Sequence, residues 1–111
     1  MKWRYVHYLL IWSIGDNMQF GLSEIVLNKI YEITKKFDYD FYIFGSRARG
    51  DYKKNSDIDI AVYGDVNEED KPKIKSEFDE INTPYIIDVL FIMDLKNEEL
   101  INNIEKEGVM L

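Results

Sequence analysis

The sequence predicts an α/β or α+β layer structure, with helices packed on a small sheet. Three observations carry this. Stretches of two-residue alternation or dense β-branched content occur at "DFYIFG" (40–45), "DIDIAVY" (57–63) and "PYIIDVLFI" (84–92). Apolar residues recur at helical spacing in the intervals 23–37 and 70–81 and after Asn97. Glycine or proline punctuates most of the boundaries between them. With 111 residues the chain can bury one modest core, which argues for one domain.

Each element has its own warrant. Ser23 is a good N-cap, and Leu22 and Leu27 are spaced for a hydrophobic staple, so residues 23–37 form an amphipathic helix. Residues 40–45 form a strand ending in Gly45, and "SRARGDYKKNS" is a turn-rich connection with room for one helical turn after Ser46. In residues 57–63, Asp57, Asp59, Ala61 and Tyr63 share one face and Ile58, Ile60 and Val62 the other. A second helix runs from Asp70 to Ile81, with Pro72 tolerable in its first turn. Residues 84–92 are apolar on both faces, which predicts a central strand. Asn97 caps a last helix with an acidic start, Gly108 follows its end, and "VML" can add a terminal strand. Residues 1–17 differ from the rest. They read either as an extension upstream of an initiator at Met18, leaving 18–111 as the domain, or as an extra strand or helix packing on the domain or a partner. The apolar run from Tyr8 to Ile14 is too short to span a bilayer and lacks a cleavage pattern after it.

Composition removes several function classes. There is no cysteine, hence no disulfide, zinc knuckle or thiol nucleophile. That composition is compatible with a cytoplasmic protein. The single His7 lies in the atypical leading segment, which disfavours histidine acid–base chemistry. A net charge of -7 argues against direct binding of a nucleic-acid backbone, while leaving room for a local nucleotide site and a basic protein partner.

The chemistry concentrates in "FGSRARGDYKKNSDIDIAV" (44–62). Asp57 and Asp59, two apart on a strand, project from one face with Cα atoms about 7 Å apart. Two such carboxylates repel unless a cation sits between them, and a hard divalent cation such as Mg²⁺ takes oxygen ligands of this kind. Asp88 is one charge on a strand face with Ile86, Leu90 and Ile92. If its strand lies beside residues 57–63, it completes a cluster able to hold two metal ions and activate a hydroxyl for attack on phosphorus. Gly45 and Ser46 at a strand-to-helix turn suit a phosphate, and Arg47 and Arg49 add positive charge nearby. Each feature alone is more often structural; together they point to a site.

Gly45 and Ser46, ten residues, then Asp57, Ile58 and Asp59 resemble the signature of the minimal nucleotidyltransferases of the DNA polymerase beta superfamily, and Asp88 in "IIDVL" matches that family's third carboxylate. The resemblance implies a polymerase beta-like fold with a mixed sheet flanked by helices. It also implies Mg²⁺ on Asp57, Asp59 and Asp88, ATP or another nucleoside triphosphate held by Gly45 and Ser46, and Asp88 helping to activate the acceptor hydroxyl. The small chain resembles stand-alone MNT proteins encoded beside HEPN-domain proteins, pairs that resemble toxin–antitoxin modules. The expected function is therefore an antitoxin that transfers AMP from ATP to a tyrosine of a HEPN toxin, as part of an oligomer or hetero-complex. Neutralisation by steric complex formation and a small-molecule nucleotidyltransferase are the alternatives.

Overall fold

In the computed structural model, which describes residues 19–111, the alternating stretch becomes strand β2 (Ile58–Tyr63). It pairs antiparallel with β1 (Asp40–Phe44) and parallel with β3 (Ile87–Phe91). A two-residue strand β4 (Val109–Met110) pairs antiparallel with β1, giving a mixed sheet of order β3-β2-β1-β4. Parallel neighbours need a crossover, and helix α3 (Asp70–Asp79) lies in the connection between β2 and β3. Helix α1 (Glu24–Lys36) precedes β1, the single turn α2 (Ser46–Arg49) follows it, and α4 (Glu98–Glu107) leads into β4. The expectations for residues 1–17 and for Met18 as initiator lie outside the described residues.

Alternation along β2 divides the interior into two cores. Ile58, Ile60 and Val62 are fully buried with Phe41, Ile43, Val89 and Phe91 from the other strands and with Leu27, Ile30, Ile74 and Phe78 from α1 and α3. On the opposite face Ala61, Tyr63, Phe44 and Leu90 meet Leu100 and Ile104 of α4. The Ser23 hydroxyl accepts the Val26 N–H at the start of α1, and the Asn97 side chain accepts the Leu100 N–H at the start of α4, satisfying donors that helix geometry leaves open. Lys36 and Glu77 form an ion pair at 2.8 Å between α1 and α3.

The structure departs from the sequence reading at the third strand. Residues 84–92 were expected to form a central strand, but β3 is an edge strand confined to Ile87–Phe91. Helices cover both faces of the sheet, so an edge strand here has apolar residues on both sides just as a central one would. Pro84 lies outside the strand, Ile86 is 64% exposed, and Ile92–Asp94 turn into a 3-10 helix. Helix α3 also ends at Asp79, short of the expected Ile81. The expected terminal strand is present, and it brings Leu111 into the core.

Candidate functional site

Asp59 and Asp88 are register partners on the parallel pair β2–β3. Both belong to the sheet face that carries Ala61 and Leu90, at the strand starts. Asp57 stands one residue ahead of β2 and is exposed, as is Asp88, while Asp59 is partly buried. Asp88 is thus a rim carboxylate rather than the buried charge that its apolar strand neighbours suggest. Burial, then the charge of Asp88, then that of Asp57 push the Asp59 carboxyl up to about 6, against weaker opposite effects of Arg49 and Arg47. Its field therefore senses both other carboxylates. As placed, they do not form a closed three-ligand metal group: among the described residues no three His, Cys, Asp or Glu side chains do. The donor set still suits a hard divalent cation, because a cation near Asp59 would offset the repulsion from Asp88 and Asp57 that adds to burial in raising its pKa.

The glycine turn closes on the same carboxylate. β1 ends at Phe44, the register partner of Asp59. Gly45 follows with φ 76°, a region that favours glycine, and a Cβ there would overlap the Asp59 carboxylate oxygen Oδ2. Glycine at 45 therefore meets two demands, the backbone angle and the space for Asp59. Ser46 opens α2 beside it, partly exposed.

The two arginines of the turn differ from each other. Arg49 is exposed and pairs with Asp51 at 3.2 Å and with Glu107 of α4 at 2.9 Å. Arg47 was expected to lend its charge to a phosphate, but it is 2% exposed and its guanidinium donates to the backbone carbonyls of Ser56, Phe20 and Gly21. Its Nε, Nη1 and Nη2 are thus engaged by loop carbonyls. Nothing in the sequence distinguishes a buried arginine from a solvated one in such a turn, so this role was not legible there.

Beside Asp57 lies a cavity of about 350 Å³ lined by Lys54, Asn55, Asp57, Pro84, Tyr85 and Ile86. It sits at the mouth of the β2–β3 pair, with Asp57 on one wall. A groove between α1 and α3, lined by residues such as Lys29, Glu32, Lys36 and Glu77, includes none of the three aspartates.

Comparison with known proteins bears on family and fold. Residues 28–111 match the family model described as polymerase beta, nucleotidyltransferase. A Haemophilus influenzae protein named probable protein adenylyltransferase MntA is 36% identical over 58 residues, covering 48% of this chain and 48% of that protein. The chain thus aligns with about half the length of that relative. A crystal structure of a toxin–antitoxin with AMP-PNP superposes with a TM-score of 0.59 at 22% identity, over 75% of this chain and 69% of that one. A crystal structure of a toxin–antitoxin MntA–HpeT mutant gives 0.57 at 21%, over 77% and 70%. At such identities these two structures speak for the fold.

Proposed function

Because this chain belongs to the polymerase beta nucleotidyltransferase family, we propose that it is a Mg²⁺-dependent nucleotidyltransferase that moves AMP from ATP onto a tyrosine of a HEPN toxin and thereby acts as its antitoxin. The observation that carries the reading is the register pairing of Asp59 with Asp88, with Gly45 shaped around the Asp59 carboxylate. The adenylyltransferase name of the Haemophilus influenzae relative supports the choice of AMP and of a protein acceptor.

Each residue has a stated part in this proposal. Asp57, Asp59 and Asp88 would hold Mg²⁺, which when bound offsets phosphate charge and favours ionisation of the acceptor hydroxyl. The Gly45–Ser46 turn would orient the triphosphate, the Ser46 hydroxyl donating to a phosphate oxygen. Asp88, which is exposed at the rim, would take the proton of the acceptor hydroxyl. The acceptor oxygen then bonds to the α-phosphorus as the bond to the departing pyrophosphate breaks. Arg49, the exposed one of the turn's two arginines, would exchange Asp51 or Glu107 for phosphate.

The test is incubation of the purified chain with labelled ATP, Mg²⁺ and the candidate HEPN partner. Label on a partner tyrosine, lost with Asp59→Ala, is expected. If the partner stays unlabelled, or if Asp59→Ala neutralises the toxin as well as the natural chain does, transfer is not how this protein works.

A further inference from the structure

We propose that Arg47 is a positioning residue of this site, fixing Asp57 and the Tyr85 wall of the adjoining cavity without touching the nucleotide. The inference rests on the nucleotidyltransferase reading for its effect on rate, while its structural half stands on geometry alone. Arg47 is 2% exposed. Nε and Nη2 both donate to the Ser56 carbonyl, at 3.1 and 2.8 Å, and Nη1 donates to the carbonyls of Phe20 and Gly21, at 3.0 and 3.2 Å. The guanidinium also lies over the Tyr85 ring at 4.2 Å and the Tyr52 ring at 5.2 Å. Carbonyls and ring faces thus stabilise a buried cation that burial would otherwise strongly disfavour.

What Arg47 grips is as telling as how it grips. Phe20, Gly21, Tyr52, Ser56 and Tyr85 all lie outside helices and strands, so no sheet or helix ladder fixes their mutual placement. The Ser56 carbonyl belongs to the peptide that joins Ser56 to Asp57, so two donors on that oxygen set the peptide plane from which Asp57 departs. Tyr85 leads through Ile86, whose carbonyl accepts the Ile58 N–H at 2.9 Å, into the strand that bears Asp88. Arg47 itself follows Gly45 by two residues. One side chain therefore joins the glycine turn to the lead-ins of both acidic strands. Gly21 is shaped for it: a Cβ there would overlap the Tyr52 ring and stand 2.9 Å from Arg47 Nη1. A lysine could not reproduce this, since one ammonium lacks the planar fork that spans two groups of carbonyls.

Two readouts on the full chain test the proposal. In amide NMR spectra without nucleotide, Arg47→Lys is expected to shift the Asp57 and Gly21 signals. In labelled transfer to the partner, Arg47→Lys is expected to lower kcat about tenfold while KM for ATP changes by less than about threefold, the split of a misplaced site group rather than a lost ligand. A purely structural role would lower Tm but leave kcat per folded molecule unchanged, and that result overturns the proposal. If Arg47→Lys does not fold, Tyr85→Leu carries the test: it is expected to reproduce the drop in kcat, and an unchanged kcat overturns the proposal. If the natural chain transfers nothing, the enzyme reading fails by itself. The Asp57 amide then decides: a shift supports the positioning role, and an unmoved signal overturns it.

Discussion

Gly45 stands against the Asp59 carboxylate so closely that any side chain at 45 would collide with Oδ2. Its φ of 76° adds a second penalty for an L-residue, of about 1–3 kcal/mol. Gly45→Ala must therefore either strain the turn or push Asp59 aside. We expect a denaturant midpoint lowered by that order of energy and a transfer rate cut about 100-fold, because displacing a reacting group by about 1 Å costs that much. Equilibrium unfolding and steady-state labelling check the two halves separately. A variant with natural stability and rate would show that the close approach is incidental.

Asp59 gives stability a pH dependence of unusual sign for a carboxylate. Its folded-state pKa is raised to about 6 from an ordinary 3.8, so the folded protein binds its proton more tightly than the unfolded chain does. The contribution favours folding fully below 3.8, declines as pH rises from there to 6, and is gone above. In buffer free of divalent cations the protein should thus gain from this residue on going from pH 7.5 to 5. The gain is about 1 kcal/mol, after allowance for the water that still reaches the carboxylate. Thermal melts of the natural chain and Asp59→Asn isolate the effect, since other carboxylates titrate in both. Equal slopes in the two proteins would contradict the assignment.

Asp88→Asn separates the causes of that shift. Burial is the largest, and the Asp88 charge comes next. Removing the charge leaves burial and the weaker effect of Asp57, so the Asp59 pKa should fall only part of the way to its ordinary value. Carboxyl carbon NMR across a titration reads it directly. A full return to the ordinary value would mean that repulsion outweighs burial.

The sequence made the helices, three strands and the acidic positions legible because each depends on local pattern. Ser23 and Asn97 cap as expected, and alternation sends Ile58, Ile60 and Val62 to one core and Ala61 to the other. Adjacency of the strand bearing Asp88 to β2, written as a condition from sequence, is met in the structure. Position within the sheet was not legible: two-sided apolar content predicts cover on both faces, and β3 has that cover while lying at the edge. The burial of Arg47 was also hidden, because its partners are carbonyls from Phe20, Gly21 and Ser56, and carbonyls leave no mark in a sequence. Gly45 was legible as a turn residue but not as the neighbour of Asp59, which follows from the pairing of Phe44 with Asp59 across two strands.

Helix α3 is anchored in the core by few apolar side chains, which makes Phe78 a sensitive point. Of its residues only Ile74 and Phe78 are buried, both fully, and the Phe78 ring lies 6.1 Å from that of Phe41 on β1. Phe78→Ala removes the larger anchor and leaves a cavity against the sheet, at a cost of about 3–5 kcal/mol. That is a large part of the roughly 5–15 kcal/mol by which a domain is stable. The ion pair of Lys36 with Glu77 cannot replace it, since an exposed pair contributes at most about 1 kcal/mol. Phe78→Leu keeps most of the volume and should lose less than half as much. Transfer per folded molecule should stay natural in both, because α3 contributes no side chain to the Asp59–Asp88 pair or to the cavity beside Asp57. Urea unfolding gives the stabilities, and labelling normalised to the folded fraction gives the rate. A rate that falls in parallel with stability would show that α3 sets the site geometry as well as the fold.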